Sequence, residues 1–148
     1  MIRAVIDTNV LASGFVRRHP QALPFLILDA WHDREFELIC SAEIVEELER
    51  TLQSPYFAKR LCPEQVRDVL SLLREEATLA QVTTHVAGVA THPEDDVILA
   101  VSVSATADYL VTGDTKLQQL VRYQTVQVVT PRQFLEVLEQ TRSEPPAP

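Results

Sequence analysis

Residues 1–9, MIRAVIDTN, form an apolar run that ends abruptly on an acid and two small polar residues. Ile2, Ala4, Val5 and Ile6 read as a short strand buried on both faces, which sets Asp7 at its carboxyl end. In an open parallel α/β sheet, that edge is where ligands bind. Residues 10–16 have helical character, so Thr8 and Asn9 are expected at or near the helix N-terminus as capping residues. Taken alone, Asp7 is equally well a cap or turn residue, and the acids further along decide between the readings.

The chain has 148 residues, 46% hydrophobic and 23% charged, which are values of a globular domain. Residues 1–140 read as one domain and residues 141–148 as a flexible proline-rich tail. No apolar run approaches the ~18 residues needed to cross a bilayer, and residue 1 onward lacks a signal-peptide pattern. A cytoplasmic protein without membrane attachment is expected. Cys40 and Cys62 stand far apart with no metal-type spacing, which argues against a zinc site or a disulfide framework. The formal net charge of −8 argues against nucleic-acid binding through a broad basic surface. It is compatible with clustered carboxylates whose charge divalent cations offset.

Further along, the basic turn of Arg17, Arg18 and His19 is either solvated surface or a phosphate contact. Residues 21–31 read as a helix with Pro24 in its first turn, and residues 36–40 as a second strand. Ser41 is the expected N-cap of the next helix, whose buried stripe is Ile44, Val45, Leu48 and Leu52. Glu46 projects nearly opposite that stripe, and Glu47 and Glu49 flank it. An aromatic and basic connection over residues 56–60 precedes a helix starting at Pro63. Residues 81–86 read as a third strand and 87–93 as a loop. Glu94, Asp95 and Asp96 then open a buried helix, with acids at its positive end. Residues 108–114 form a strand that delivers Thr112 and Asp114 to the carboxyl edge. A short helix over 115–121, a strand over 124–129 and a helix over 131–140 close the chain. Alternation of strand and helix predicts an α/β fold, a parallel sheet covered on both faces.

This layout gathers Asp7, a glutamate of the Ser41 helix, Asp95 or Asp96, and Asp114 on one edge. Carboxylates at close range raise one another's pKa, and a hard divalent cation resolves the conflict. Magnesium or manganese in such a site supports phosphodiester hydrolysis without a side-chain nucleophile. A glycine-rich phosphate loop is excluded, since the only glycines are Gly14, Gly88 and Gly113. Each acid also has a purely structural reading. Asp114 can cap the helix after it, Asp95 and Asp96 can serve as cap or dipole partners, and surface helices are rich in glutamate. Thr8, Asn9, Ser41 and Thr112 are candidate groups for orienting the carboxylates.

Val5-Ile6-Asp7-Thr8-Asn9-Val10-Leu11, the block from Ser41 through Glu47 and Leu48, His92-Pro93-Glu94-Asp95-Asp96, and Tyr109-Leu110-Val111-Thr112-Gly113-Asp114 together resemble the PIN-domain nucleases. The likeness is to the toxin components of bacterial toxin–antitoxin pairs in particular. The resemblance implies a three-layer α/β/α sandwich with a central, mostly parallel twisted sheet. It also implies Mg²⁺ or Mn²⁺ dependence and endonucleolytic cleavage of single-stranded RNA. Carried over by position, it implies Asp7, Glu47 and Asp114 as metal-holding, catalytic acids, with the third acid at Asp95, which the spacing back from Thr112-Gly113-Asp114 favours, or at Asp96. A small antitoxin partner and a homodimer or higher homo-oligomer are implied as well.

Arg17, Arg18, Lys59 and Arg60 are the candidate substrate contacts, with stacking on Tyr56 or Phe57. The alternative is a catalytically silent domain of the same fold that binds RNA or protein. A phosphoacceptor signalling domain fits poorly, because it needs a second acid beside Asp7 and a lysine after a late strand, whereas Lys116 falls within a helix.

Overall fold

A computed structural model describes residues 1–16 and 20–143. Strand β1 (Arg3–Ile6) leads into α1 (Thr8–Phe15) and α2 (Leu23–His32), and β2 (Glu37–Cys40) into α3 (Ala42–Leu52), α4 (Pro55–Ala58) and α5 (Pro63–Glu76). The two-residue β3 (Thr78–Leu79) is followed by a loop and α6 (Pro93–Ser104). The remaining elements are β4 (Tyr109–Val111), α7 (Thr115–Gln118), β5 (Arg122–Tyr123), β6 (Val126–Val129) and α8 (Pro131–Ser143).

The six strands are ordered β3-β2-β1-β4-β6-β5, and every pairing is parallel except β5 with β6. From β1 the chain moves outward through β2 to β3, then returns to β4 and moves outward the other way. Right-handed crossovers therefore put α1 to α5 on one face of the sheet and α6 and α7 on the other. The packing of α1 on α2 and α3, of α3 on α5, and of α6 on β1 and β4 agrees. Helix α8 rests on α2 and β4. The result is an α/β/α three-layer sandwich. The direction of winding reverses between β1 and β4, the position at which a crevice opens in such sheets.

The central strands are apolar on both faces because both faces are covered: Ala4, Val5, Ile6, Leu38, Ile39, Cys40, Leu110 and Val111 are all buried. Phe134 of α8 closes one side of the core, its ring 5.0 Å from that of Phe36 in edge-to-face contact. Helix α8 starts on a reciprocal capping pair, in which Gln133 N–H donates to Thr130 Oγ1 and Thr130 N–H donates to Gln133 Oε1. Among the described residues, no helix is long and apolar enough to cross a membrane.

Several sequence expectations are corrected, beginning with the strand expected over 108–114, which is confined to β4, Tyr109–Val111, so that Thr112 and Asp114 lie beyond its end. Residues 81–86 are not a strand. The ladder on β2 ends at the Ala80 N–H bond to the Cys40 carbonyl, and the N–H groups of Thr83 and Thr84 are taken by Ser104 Oγ on α6. β-branched residues at that position satisfied the strand pattern, but a side chain supplied the acceptor. Residues 56–60 contain a one-turn helix, α4, rather than a plain connection. The last strand is a β5–β6 hairpin, and α7 stops at Gln118. Helix α8 runs to Ser143, through the first residues of the expected tail, and residues 144–148 lie outside the described residues.

Candidate active site

Asp7 occupies the N-cap position of α1 at the end of β1, with Thr8 and Asn9 as the first two helical residues. Thr8 and Asn9 are therefore not the caps, because the chain turns into helix at Thr8, two residues before the expected start at position 10. The ladder between β1 and β4 continues past the strands in the bond from Asp7 N–H to the Val111 carbonyl, 2.8 Å. That register brings Thr112 beside Asp7. The buried Thr112 hydroxyl donates to Asp7 Oδ2 at 2.8 Å and accepts from Asp114 N–H at 3.0 Å. One hydroxyl thus joins the two acids that end β1 and follow β4.

Asp7 is buried, and burial pushes its carboxyl pKa up. The Thr112 hydroxyl pulls it back, and the Asp114 charge adds to the rise. Glu47 faces it from α3. Its pKa is raised first by burial and then by the Asp7 charge, with a smaller push from Glu94. Asp95, in the first turn of α6, is pushed up to about 6 by burial and by the charges of Asp7, Asp114 and Glu47, with His92 opposing. Carboxylates from β1, α3, α6 and the β4–α7 junction therefore act on one another across one crevice. Among the described residues, no three His, Cys, Asp or Glu side chains converge tightly enough to form a ready metal cage.

Asp95 and Asp96 have separate tasks. Asp96 is buried, with Oδ2 accepting from Gly88 N–H at 3.0 Å and Oδ1 from Val89 and Ala90 N–H at 3.2 and 2.7 Å. Its carboxylate is spent on the loop before α6, where Gly88 holds a left-handed φ of 72°. Of the roles weighed for Asp114, the cap is formed and leaves one carboxylate oxygen over. Its Oδ1 caps α7, accepting from Lys116 N–H at 2.8 Å, and Oδ2 has no hydrogen-bond donor among the described residues.

Among the supporting residues, Thr8 is buried and its Oγ1 has no hydrogen-bond partner among the described residues. It lies near enough to Glu47 to favour that carboxylate but stops short of a hydrogen bond with it. Asn9 is exposed. Ser41 Oγ accepts from Ile44 N–H at 3.1 Å and so fixes the start of α3. The Arg60 side chain is already engaged: its guanidinium covers the Tyr56 ring at 3.7 Å and donates to the Tyr56 carbonyl. One face of Tyr56 is thus already occupied. Lys59 is exposed at the end of α4, and Arg17 and Arg18 lie outside the described residues.

Sequence reading passed over Glu94 and His92 as contributors to the cluster's field, and over Lys116, which borders a pocket beside Asp95. Glu94 stands in the same acidic triplet as Asp95, so its position was legible. No spacing rule pointed to Lys116.

A parallel α/β sandwich with carboxylates gathered at its topological switch point belongs to the class of small acid-centred α/β domains. A PIN-domain family model matches residues 3–116, and the chain belongs to the PIN-domain family. A comparison with curated proteins found no match. Among solved structures, the chain is similar to a crystal structure of VapBC2 from Rickettsia felis bound to a DNA fragment from its promoter. Sequence identity is 14% and the TM-score 0.59, over 87% of this chain and 98% of that one, a likeness of fold.

Proposed function

We propose that the protein is a Mg²⁺- or Mn²⁺-dependent endoribonuclease that hydrolyses phosphodiester bonds of single-stranded RNA. We take residues 1–140 as one nuclease domain. The observation that carries the reading is the gathering of Asp7, Glu47, Asp95 and Asp114 at the switch point of the sheet, where burial first and neighbouring carboxylates second raise the pKa values of Asp7, Glu47 and Asp95. Such a field is unfavourable unless a cation shares the crevice. The donor set fits a hard cation, being all oxygen, and the orphaned Thr8 Oγ1 marks space for a further polar partner there. Magnesium retains several waters and does not need a tight protein cage, which suits acids that stand apart.

Asp7, Glu47, Asp95 and Asp114 would hold the cation, with Asp95 rather than Asp96 as the α6 acid because Asp96 is occupied by three backbone donors. A bound divalent cation supplies activation of water and stabilisation of charge at the phosphate. Thr112 fixes Asp7 and Asp114 in register, Thr8 borders Glu47, and Ser41 sets the helix that presents Glu47. The family and the VapBC2 likeness support the toxin of a toxin–antitoxin pair, with a small antitoxin partner and a homo-oligomer, acting in the cytoplasm.

The test is cleavage of a mixed-sequence single-stranded RNA by wild type, Asp7→Asn and Asp114→Asn, in Mn²⁺ and in EDTA. Asparagine is as good an N-cap as aspartate, so Asp114→Asn keeps α7 while removing charge. Cleavage should require metal and fall on the order of a hundredfold or more in each variant. A wild type inert under several metals that still binds RNA or a partner would replace the enzyme with a silent binding domain.

A further inference from the structure

On one flank of the acid cluster, the loop before α6 and helix α7 enclose a shallow pocket. Val89, Ala90, Thr91, Leu117 and Leu120 line it together with Asp95 and Lys116. Three features distinguish it from ordinary surface. Asp95 belongs both to this pocket and to the acid cluster, so whatever sits here abuts the reacting centre. Its loop side is fixed in advance, because Asp96 holds the N–H groups of Gly88, Val89 and Ala90, and Leu117 on the α7 side is buried. Lys116 is exposed and forms no ion pair among the described residues, in a chain where 21 acidic residues face 13 basic ones. An unpaired ammonium at the mouth of an acidic crevice, beside small apolar walls, complements a phosphate joined to a sugar and base.

We propose that this pocket is a nucleotide subsite: the sugar and base adjoining the scissile phosphate pack against Val89, Ala90 and Leu120, and Lys116 pairs with the next phosphate along the strand. The proposal rests on the ribonuclease reading and names how that site grips its substrate. A contact made equally in the bound and the reacting complex changes KM rather than kcat.

The experiment measures kcat and KM for a fluorescent single-stranded RNA with wild type, Lys116→Ala, Lys116→Arg and Ala90→Leu. The last fills the pocket and leaves the backbone bonds to Asp96 in place. Binding of the same RNA to the four proteins is followed by anisotropy across a salt series. Lys116→Ala should raise KM about tenfold with kcat within about twofold, and flatten the salt slope of log K by about 0.7, one single-strand phosphate contact. Lys116→Arg should restore both. Ala90→Leu should raise KM and change base preference beside the cut.

Wild-type values of KM, salt slope and cut pattern in Lys116→Ala and Ala90→Leu would overturn the subsite while leaving the ribonuclease intact. A wild type that cuts nothing would overturn the ribonuclease. The subsite would then be upheld by weakened binding in Lys116→Ala and Ala90→Leu, and overturned by its absence. Equal KM on DNA of the same sequence, with the same dependence on Lys116, would overturn the assignment to RNA.

Discussion

At the scale of the residue, the most informative contrast is between two neighbours of the same type. Asp96 accepts three backbone N–H groups, and an amide in its place keeps one acceptor and turns a donor toward a donor. Asp96→Asn should destabilise the fold by about 1–3 kcal/mol, read as a lower denaturation midpoint in EDTA. Asp95 faces Asp7, Asp114 and Glu47, and its pKa of about 6 leaves it largely ionised and repelled at pH 7.5. Asp95→Asn should therefore raise Tm at pH 7.5 in EDTA and have little effect at pH 5, where the wild-type carboxyl is mostly protonated. Equal effects of the two substitutions at pH 7.5 would mean that the acids do not divide their roles. Sequence separated these residues only in part: spacing back from Thr112-Gly113-Asp114 favours Asp95, but both fall in the first turn of α6. The distinction comes from a loop 6–8 residues upstream that returns its backbone to Asp96 alone.

At the scale of the element, the approach of α1 to α2 depends on a residue without a side chain. A Cβ at Gly14 would stand 2.8 Å from the Pro24 carbonyl oxygen and 2.6 Å from Leu28 Cδ1. Leu28 can rotate, but the backbone carbonyl cannot yield without moving α2. Gly14→Ala gains helix propensity of about 1 kcal/mol and still should lose stability by about 1–3 kcal/mol overall, measured by chemical denaturation. No loss would show that α2 is free to shift away from α1. The elements themselves were largely readable. β1, β2, β4 and the stripe of α3 are decided by local pattern, since burial on both faces and a four-residue repeat each leave a strong signature. Where a long-range partner decides, pattern failed. Ser104 draws residues 83 and 84 off the sheet edge, and the β5–β6 hairpin needs left-handed backbone at Val121 and Gln124 that their identities do not announce. That Asp7 and Asp114 fall on one edge was legible because alternating strands and helices imply parallel strands whose carboxyl ends share an edge, although Asp114 follows β4 by three residues. That Thr112 bridges the two acids depends on the β1–β4 register, which a single sequence does not contain.

At the scale of the molecule, a chain of net charge −8 concentrates three acids with raised pKa values in one crevice. A carboxyl whose folded pKa lies above its unfolded value binds protons more tightly in the native state. Its favourable contribution is complete below the ordinary carboxylate range near pH 4 and is lost as pH rises through the folded value, about 6 for Asp95. In EDTA, Tm should accordingly fall between pH 4.5 and 7, and the fall should shrink when Asp7 and Asp95 are both replaced by asparagine. A divalent cation competes with those protons and favours the ionised form, so Mn²⁺ should act most strongly at the upper end of the window. At about a hundredfold over its Kd it would add about 2.7 kcal/mol, on the order of 5–10 °C in Tm for a chain of this size. The measurement is thermal unfolding of wild type and Asp7→Asn/Asp95→Asn across that pH range, with Mn²⁺, Mg²⁺ or EDTA. Stabilisation by metal that grows with pH in wild type and disappears in the double variant assigns the cation to the crevice. Stabilisation of equal size in both proteins would instead place it elsewhere on an acidic surface, and the raised pKa values would then reflect burial and repulsion alone.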